Sequence, residues 1–423
     1  MTIETNEDTF TIIPLAERGK VTDEWLYNRL ENLLPVLMIK HGVDSWITIG
    51  REYHEDPAAI TLFPSSIDSS RRLTIFVFLR ERNTNKIKRF VISSNKLFEP
   101  FYMCCTVRKG EEPFDVLRRI MDTYNPEKIA INYSSHFSFC DGLSHSFYQS
   151  LTSFLGNEHS ANLISSETLA LDWMQLRTDS ELYSYKELAK ITRNIVKQAL
   201  SNDVIIPGIT TTRDVVDWVR QKVLDLGIKT SFYPTVDIQR KDSSADRIEG
   251  VILHGDIVHL DFGIEYLGLC TDTQQLAYVL HPYEQDIPDG LKMALRVANH
   301  FEDIFSQTIR TGITGNELFE EVLKKAAKNE IQAMLYSHPI GYHCHGAGPI
   351  MGLYDKQEPI PIRGELPIQN NTCYALEFNI RSFIPEWNKD IPVYLEESVC
   401  FKDKMSYLTK RQTEFYVISS NPL

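Results

Sequence analysis

Four runs of β-branched and aromatic residues, separated by polar turns, mark the first 170 positions. They are WITIG at 46–50, RRLTIFVFL at 71–79, KRFVISS at 88–94 and KIAINYSS at 128–135. Runs of this kind predict strands. Between them, PFDVLRRIMDTYN at 113–125 repeats apolar residues at helical spacing, and a second helix is expected near 142–155. The polar stretch GNEHSANLISSET, 156–168, reads as a loop approaching a boundary. The pattern predicts an N-terminal α/β domain over residues 1–170.

Beyond it the periodicity turns helical. DSELYSYKELAKITRNIVKQALSND places Leu182, Leu188, Ile191, Ile195 and Val196 on one face behind an acidic first turn. TTRDVVDWVRQKVLDLG does the same with Val215, Val216, Val219, Val223 and Leu224, with Thr212 as N-cap and Gly227 as the stop. Helices are also expected over 290–310 and over 315–334, the latter opening on Thr314 with Glu317 three residues on, a capping box. Period-two segments at 257–263, 267–280, 373–381 and 391–401 predict strands. Helices and antiparallel strands in this order indicate an α+β domain over residues 171–423.

Composition narrows the function classes. The chain has 423 residues, 43% hydrophobic and 24% charged, which suits a globular protein of two or three domains. A net charge of −13 argues against a nucleic-acid partner. The acidic start MTIETNED and strand-length apolar runs argue against a secretory leader and a membrane span. Seven cysteines without a CxxC pair fit reduced thiols in a cytoplasm; Cys104 and Cys105 are adjacent and read as ordinary thiols.

Candidate chemistry lies in the second half. Asp261 and Asp272 occur in VHLDFGIEYLGLCTDT, His345 in HCHGAG, Glu377 in YALEFN and Glu396 in VYLEESV. In YALEFNI, Glu377 shares a face with Ala375 and Asn379, while Leu376, Phe378 and Ile380 take the other. Glu396 likewise lies opposite Leu395 and Val399, whereas Glu397 falls on their apolar face, so Glu396 is the better ligand candidate. If the chain folds back between Tyr266 and Leu267, Asp261 and Asp272 become cross-strand neighbours about 4.5–5.5 Å apart at Cβ. Two like charges that close need a cation, and a metal pair roughly 3.5–4 Å apart would supply it. Each acid taken alone reads more readily as a solvated strand carboxylate. Gly346 and Gly348 permit a sharp bend beside His345, and His338 and His343 lie nearby.

An Asp-x-Gly, a second Asp eleven residues on, a His-Gly-x-Gly and two separated Glu residues resemble the creatinase/aminopeptidase P superfamily of pita-bread metallopeptidases. GDIVHLDFG is similar to its GDxVxxDxG strand, and LRTDSELYSYKELAKITRNIVKQAL with IPGITTTRDVVDWV is similar to its upstream helices. Residues 1–170 more loosely resemble the N-terminal domain of the X-Pro aminopeptidase and prolidase branch. The resemblance implies a C-terminal pita-bread domain and two divalent metal ions, with Mn²⁺ ahead of Co²⁺, Fe²⁺ or Zn²⁺. It makes Asp261, Asp272, His345, Glu377 and Glu396 the ligands, with Glu377 also carrying a proton. It implies a peptide or dipeptide substrate of X-Pro type and a homodimer.

The accessory positions depart from the family. Counted from His345, Gly341 and Gly352 stand where the family carries histidines, and the third, upstream of the first Asp, is not evident in the TVDIQRKDSSADRIEG segment. Gln274 and Gln275 replace a threonine and an arginine after the second Asp, and Tyr394 replaces an arginine before the last Glu. His343 is a candidate stand-in for a missing catalytic histidine. The alternative function is a catalytically weak or inactive pita-bread protein that serves as a binding module.

Overall fold

A computed structural model describes residues 10–420. The chain divides into two compact units, one of Ile13–Thr178 and one containing Asp179–Leu423. The expected boundary at 170/171 falls inside a helix, Glu167–Gln175.

In the first unit six strands form one sheet, ordered Met103–Cys105, Ile87–Ile92, Leu73–Arg80, Ser45–Arg51, Ile129–Ile131 and Leu163–Ser165. One face carries Ile47, Val77 and Ile129 beneath the helices Pro113–Tyr124 and His145–Ser160. The other presents Trp46, Phe76 and Phe78, packed with Phe98, Tyr102 and Trp173. The segment expected as a loop at 156–168 instead holds the end of a helix, which passes a non-helical Gly156, and the edge strand Leu163–Ser165. Helices over Leu15–Asn28, Leu34–Lys40 and Glu167–Gln175 lie outside the expected elements. In the first of these only Trp25 and Leu26 are buried, so its apolar stripe is too thin to read from periodicity.

In the second unit, nine of the described strands form a sheet. Its main path runs Gln332–Leu335, Thr372–Ile384, Lys389–Lys402, Thr273–Val279, Ile257–Phe262, Thr235–Gln239. His338–Ile340 pairs beside the Thr372–Ile384 strand. Helices Asp289–Thr308 and Gly315–Lys328 close one face, where Leu376, Phe378, Ile380, Leu395 and Val399 are fully buried. Phe301 meets Phe378 at 4.7 Å between ring centroids. The alternation that buries these residues turns Glu377 and Glu396 to the opposite face. Thr314 caps the second helix as expected, exchanging hydrogen bonds with Glu317. That helix stops at Lys328 rather than 334, because Gln332–Leu335 is a strand. In Thr212–Asp225 the N-cap is Thr211, one residue before the expected one. Among the described residues no helix is long and apolar enough to cross a membrane.

The hairpin of the two aspartates departs from expectation by two residues. Leu267 and Gly268 form its turn with φ of 55° and 73°, and Tyr266 faces Leu269. Left-handed conformations at both positions characterise the tight two-residue hairpin loop. The register therefore pairs Asp261 with Gln274, not with Asp272, whose place lies opposite Gly263. A shift of two preserves side-chain parity, so both carboxylates stay on one face as diagonal neighbours. The approach requires glycine at 263, where a Cβ would run into the Thr271 carbonyl oxygen and the Ser231 hydroxyl. Gly263→Ala should therefore destabilise the protein by about 1–3 kcal/mol, the usual cost of overpacking. Denaturant unfolding of the metal-free protein checks this, and an unchanged midpoint would refute the tight approach.

Candidate metal centre

The sheet registers place the acids in two adjacent rows. In one row Asp261 pairs with Gln274, Gln274 with Glu396, and Glu396 with Glu377. In the next, Ser398 pairs with Ala375 and Ala375 with His338, and the Ser398 hydroxyl holds both the N–H (3.2 Å) and the carbonyl (2.7 Å) of Asp272. Ala375 and Ser398 are small, which leaves room above them for His338 and Asp272 to converge. The Ser337 hydroxyl clamps the backbone of Glu377, accepting from its N–H at 2.9 Å and donating to its carbonyl at 3.1 Å.

Asp272, His338 and Glu396 bring potential ligand atoms within 4.8 Å of one another, all in buried side chains. His338 Nε2 lies 3.6 Å from Asp272 Oδ2, 3.7 Å from Glu396 Oε1 and 3.8 Å from Glu377 Oε2. The expected imidazole, His345, is not in this group. It is exposed and meets the His338 ring edge-on at 4.6 Å between centroids. The physical reason is local: His338 is fixed on a short strand beside the one that carries Glu377, whereas HCHGAG forms an irregular bend. The signal in the sequence was the strand-like YSHPI, whose His338 opens a His-x-x-Gly ending at Gly341. His343 is also exposed, and the charge that acts on it is Glu265, not any of these acids. Glu397 turns away from the group, accepting from Gln275 Nε2 at 3.0 Å and the Gln412 N–H at 2.6 Å.

The electrostatics are those of a site that suits a cation. Among the described residues no donor reaches Glu396 Oε1 or Oε2, Asp272 Oδ1 or Asp261 Oδ1, although all four atoms are buried. Burial pushes the Asp272, Glu377 and Glu396 carboxyls well above the usual carboxylate range, and their mutual repulsion adds to it. Asp261 is raised to about 6 by burial, against the opposing charges of His259 and Arg247. Burial also lowers His338 to about 3, helped by His345. His338 Nδ1 lies 3.2 Å from the Pro339 carbonyl, which can only accept, so Nδ1 carries the proton. The lone pair on Nε2 then faces three carboxylates. An imidazole lone pair and four converging carboxylates are mutually repulsive alone and complementary to divalent cations.

Other groups surround these. Gln274 donates from Nε2 to Glu377 Oε1 at 2.6 Å, and the Cys344 thiol donates to Asp272 Oδ2 at 2.9 Å. The Arg247 guanidinium lies 4.6 Å from the Tyr394 ring centroid and its charge acts on Asp261 and Glu377. The Arg363 guanidinium is half-buried, its charge acts on His338 and His345, and no described carboxylate pairs with it. Of the four, only Gln274 was singled out in the sequence, as a departure at an accessory position.

An antiparallel sheet backed by helices, with four acids and an imidazole on its open face, defines the class of a pita-bread metallopeptidase domain. Residues 184–405, just over half of the 423, match metallopeptidase family M24, and the chain belongs to that hydrolase family. No curated protein matches the sequence. The X-Pro aminopeptidase of Thermotoga maritima MSB8 has a similar structure, with a TM-score of 0.64 over 89% of this chain and 98% of its own at 16% identity. The Xaa-Pro dipeptidase of Bacillus anthracis reaches 0.62 over 96% and 100% at 17% identity. The prolidase of Pyrococcus furiosus gives 0.55 over 89% and 99% at 15% identity. At these identities the likeness is one of fold.

A pH effect follows from the raised acids. A carboxyl such as Asp261, raised from 3.8 to about 6, favours the folded state at low pH, and that contribution is lost as pH rises through about 6. Metal binding needs the deprotonated acids, so it has the opposite dependence. The gain in Tm on adding Mn²⁺ should grow as pH is raised from about 5 to about 7.5. A gain that is independent of pH would contradict the site.

Proposed function

We propose that the protein hydrolyses the bond before proline in short Xaa-Pro peptides, using two divalent metal ions held by Asp261, Asp272, His338, Glu377 and Glu396. The observation that carries this reading is the buried convergence of four carboxylates and the His338 lone pair, with both Glu396 oxygens left without donors. The oxygen-rich donor set with one nitrogen favours Mn²⁺. Bound there, the ions supply Lewis acidity toward the scissile carbonyl and acidify the attacking water.

The remaining work falls to side chains. Glu377, at the edge of the group with one oxygen turned to its centre, accepts a proton from the attacking water and returns it to the leaving nitrogen. Arg363 supports a preference for dipeptides. A half-buried guanidinium without an acidic partner is costly, and the carboxylate of a short substrate would complete it. With His338 as the ligand, the histidine that the resemblance places seven residues later is His345, so one accessory position is filled after all. The position four residues earlier is Met334. That gap, with Tyr394 and Gln275, is what favours the second reading, a metal-binding module of low activity.

Hydrolysis of Leu-Pro by the Mn²⁺-loaded protein decides between them. Glu377→Gln should lower kcat by about 10²–10⁴, the range of general acid–base catalysis. Arg363→Ala should raise KM for Leu-Pro but not for its C-terminal amide. Full metal occupancy without any cleavage would leave the binding-module reading standing.

A further inference from the structure

We infer that Gln274 is a positioning residue, which holds Glu377 by one carboxylate oxygen so that the other faces the metal centre, and that His259 and Asp237 brace it from behind. The inference rests on the reading of Glu377 as ligand and proton carrier. It concerns residues that the five-ligand set leaves out.

The contacts form one line that joins four strands. Gln274 Nε2 is 2.6 Å from Glu377 Oε1, its Oε1 is 3.0 Å from His259 Nε2, and His259 Nδ1 is 3.1 Å from Asp237 Oδ2. Hydrogen-bond chemistry fixes every direction in it. A carboxylate can only accept, so the amide nitrogen of Gln274 must face Glu377. The amide oxygen then accepts from His259 Nε2–H, and Asp237 accepts from Nδ1–H. A flipped amide would set two acceptors against each other at Glu377. His259 is fully buried and lies 5.5 Å from the Tyr394 ring, so it has little freedom to turn. Gln274 is 4% exposed and occupies the row between Asp261 and Glu396.

The consequence falls on Glu377. Its Oε1 is engaged by the Gln274 amide, while Oε2 faces His338 Nε2 at 3.8 Å. One oxygen is anchored and one is presented, which suits a carboxylate that must bind a metal and hold a proton position. Threonine, the residue the resemblance expects at 274, is too short to donate to Glu377 and accept from His259 across this span. The two-headed amide is what lets a buried histidine three strands away reach the ligand.

The test compares Gln274→Leu, the near-isosteric Gln274→Glu, His259→Phe and the double variant Gln274→Leu/His259→Phe. Mn²⁺ affinity is measured by calorimetry and Leu-Pro hydrolysis by kinetics. Loss of a residue that orients a metal ligand costs about 10- to 100-fold in affinity or activity. That loss is expected for Gln274→Leu, in kcat rather than KM, and Gln274→Glu should lose at least as much because it removes the donor. His259→Phe should lose less, and the double variant no more than Gln274→Leu alone, since the line is already broken. Affinity and kcat of both Gln274 variants within about twofold of the parent, or single losses that simply multiply in the double variant, would overturn the inference. Gln274→Glu keeps the side-chain volume, so it reports even if the leucine variant does not fold. The calorimetry needs no substrate, so a protein that binds Mn²⁺ but cleaves nothing would sink the peptidase reading and leave this one decidable.

Discussion

Four carboxylates brought together inside a protein repel one another, and the second unit is built around holding them there. Asp261, Asp272, Glu377 and Glu396 are buried or nearly so; burial raises all four above the usual carboxylate range, and mutual charge adds to it at Asp272, Glu377 and Glu396. No arrangement of neutral neighbours would relieve that. A lone pair from His338 pointed at the same spot makes the deficit of positive charge greater. The fold withstands this because its opposite face is a dense apolar core, where Phe301, Phe378, Leu395 and Leu376 are fully buried.

Sheet geometry converts that constraint into a site. The candidate ligands come from four strands and from the residue just before a fifth, in two adjacent rows, so inter-strand spacing and not loop conformation sets their separation. Three small residues make the convergence feasible. Gly263 admits the close pass of the Thr271 carbonyl, Ala375 leaves space beneath His338, and Ser398 ties the backbone of Asp272 to the Glu396 strand. The polar line from Asp237 to Glu377 then orients one acid that the rows alone would leave free to rotate.

Periodicity made much of this legible. The strands carrying Glu377 and Glu396, the choice of face for each acid and the Thr314–Glu317 cap all follow from patterns of two to four residues. What the sequence hid depended on longer-range geometry. The aspartate hairpin slipped by two because Leu267 takes a left-handed conformation that no Asn-Gly pair announces. His338 was passed over for His345 because glycines flank the latter, yet an imidazole is aimed by the strand that holds it. Arg363 and Arg247 reach the site from far along the chain, and side-chain reach has no periodic signature.

The central claim is that this ligand set, with His338 as its only nitrogen donor, binds a pair of metal ions. A crystal of the Mn²⁺-loaded protein, with anomalous scattering measured across the manganese edge, tests it directly. The account predicts two anomalous peaks roughly 3.5–4 Å apart, with His338 Nε2 bonded to one of them and oxygens of Asp261, Asp272, Glu377 and Glu396 completing the pair. Peaks ligated by His345 instead of His338, or no ordered manganese among these residues, would contradict it.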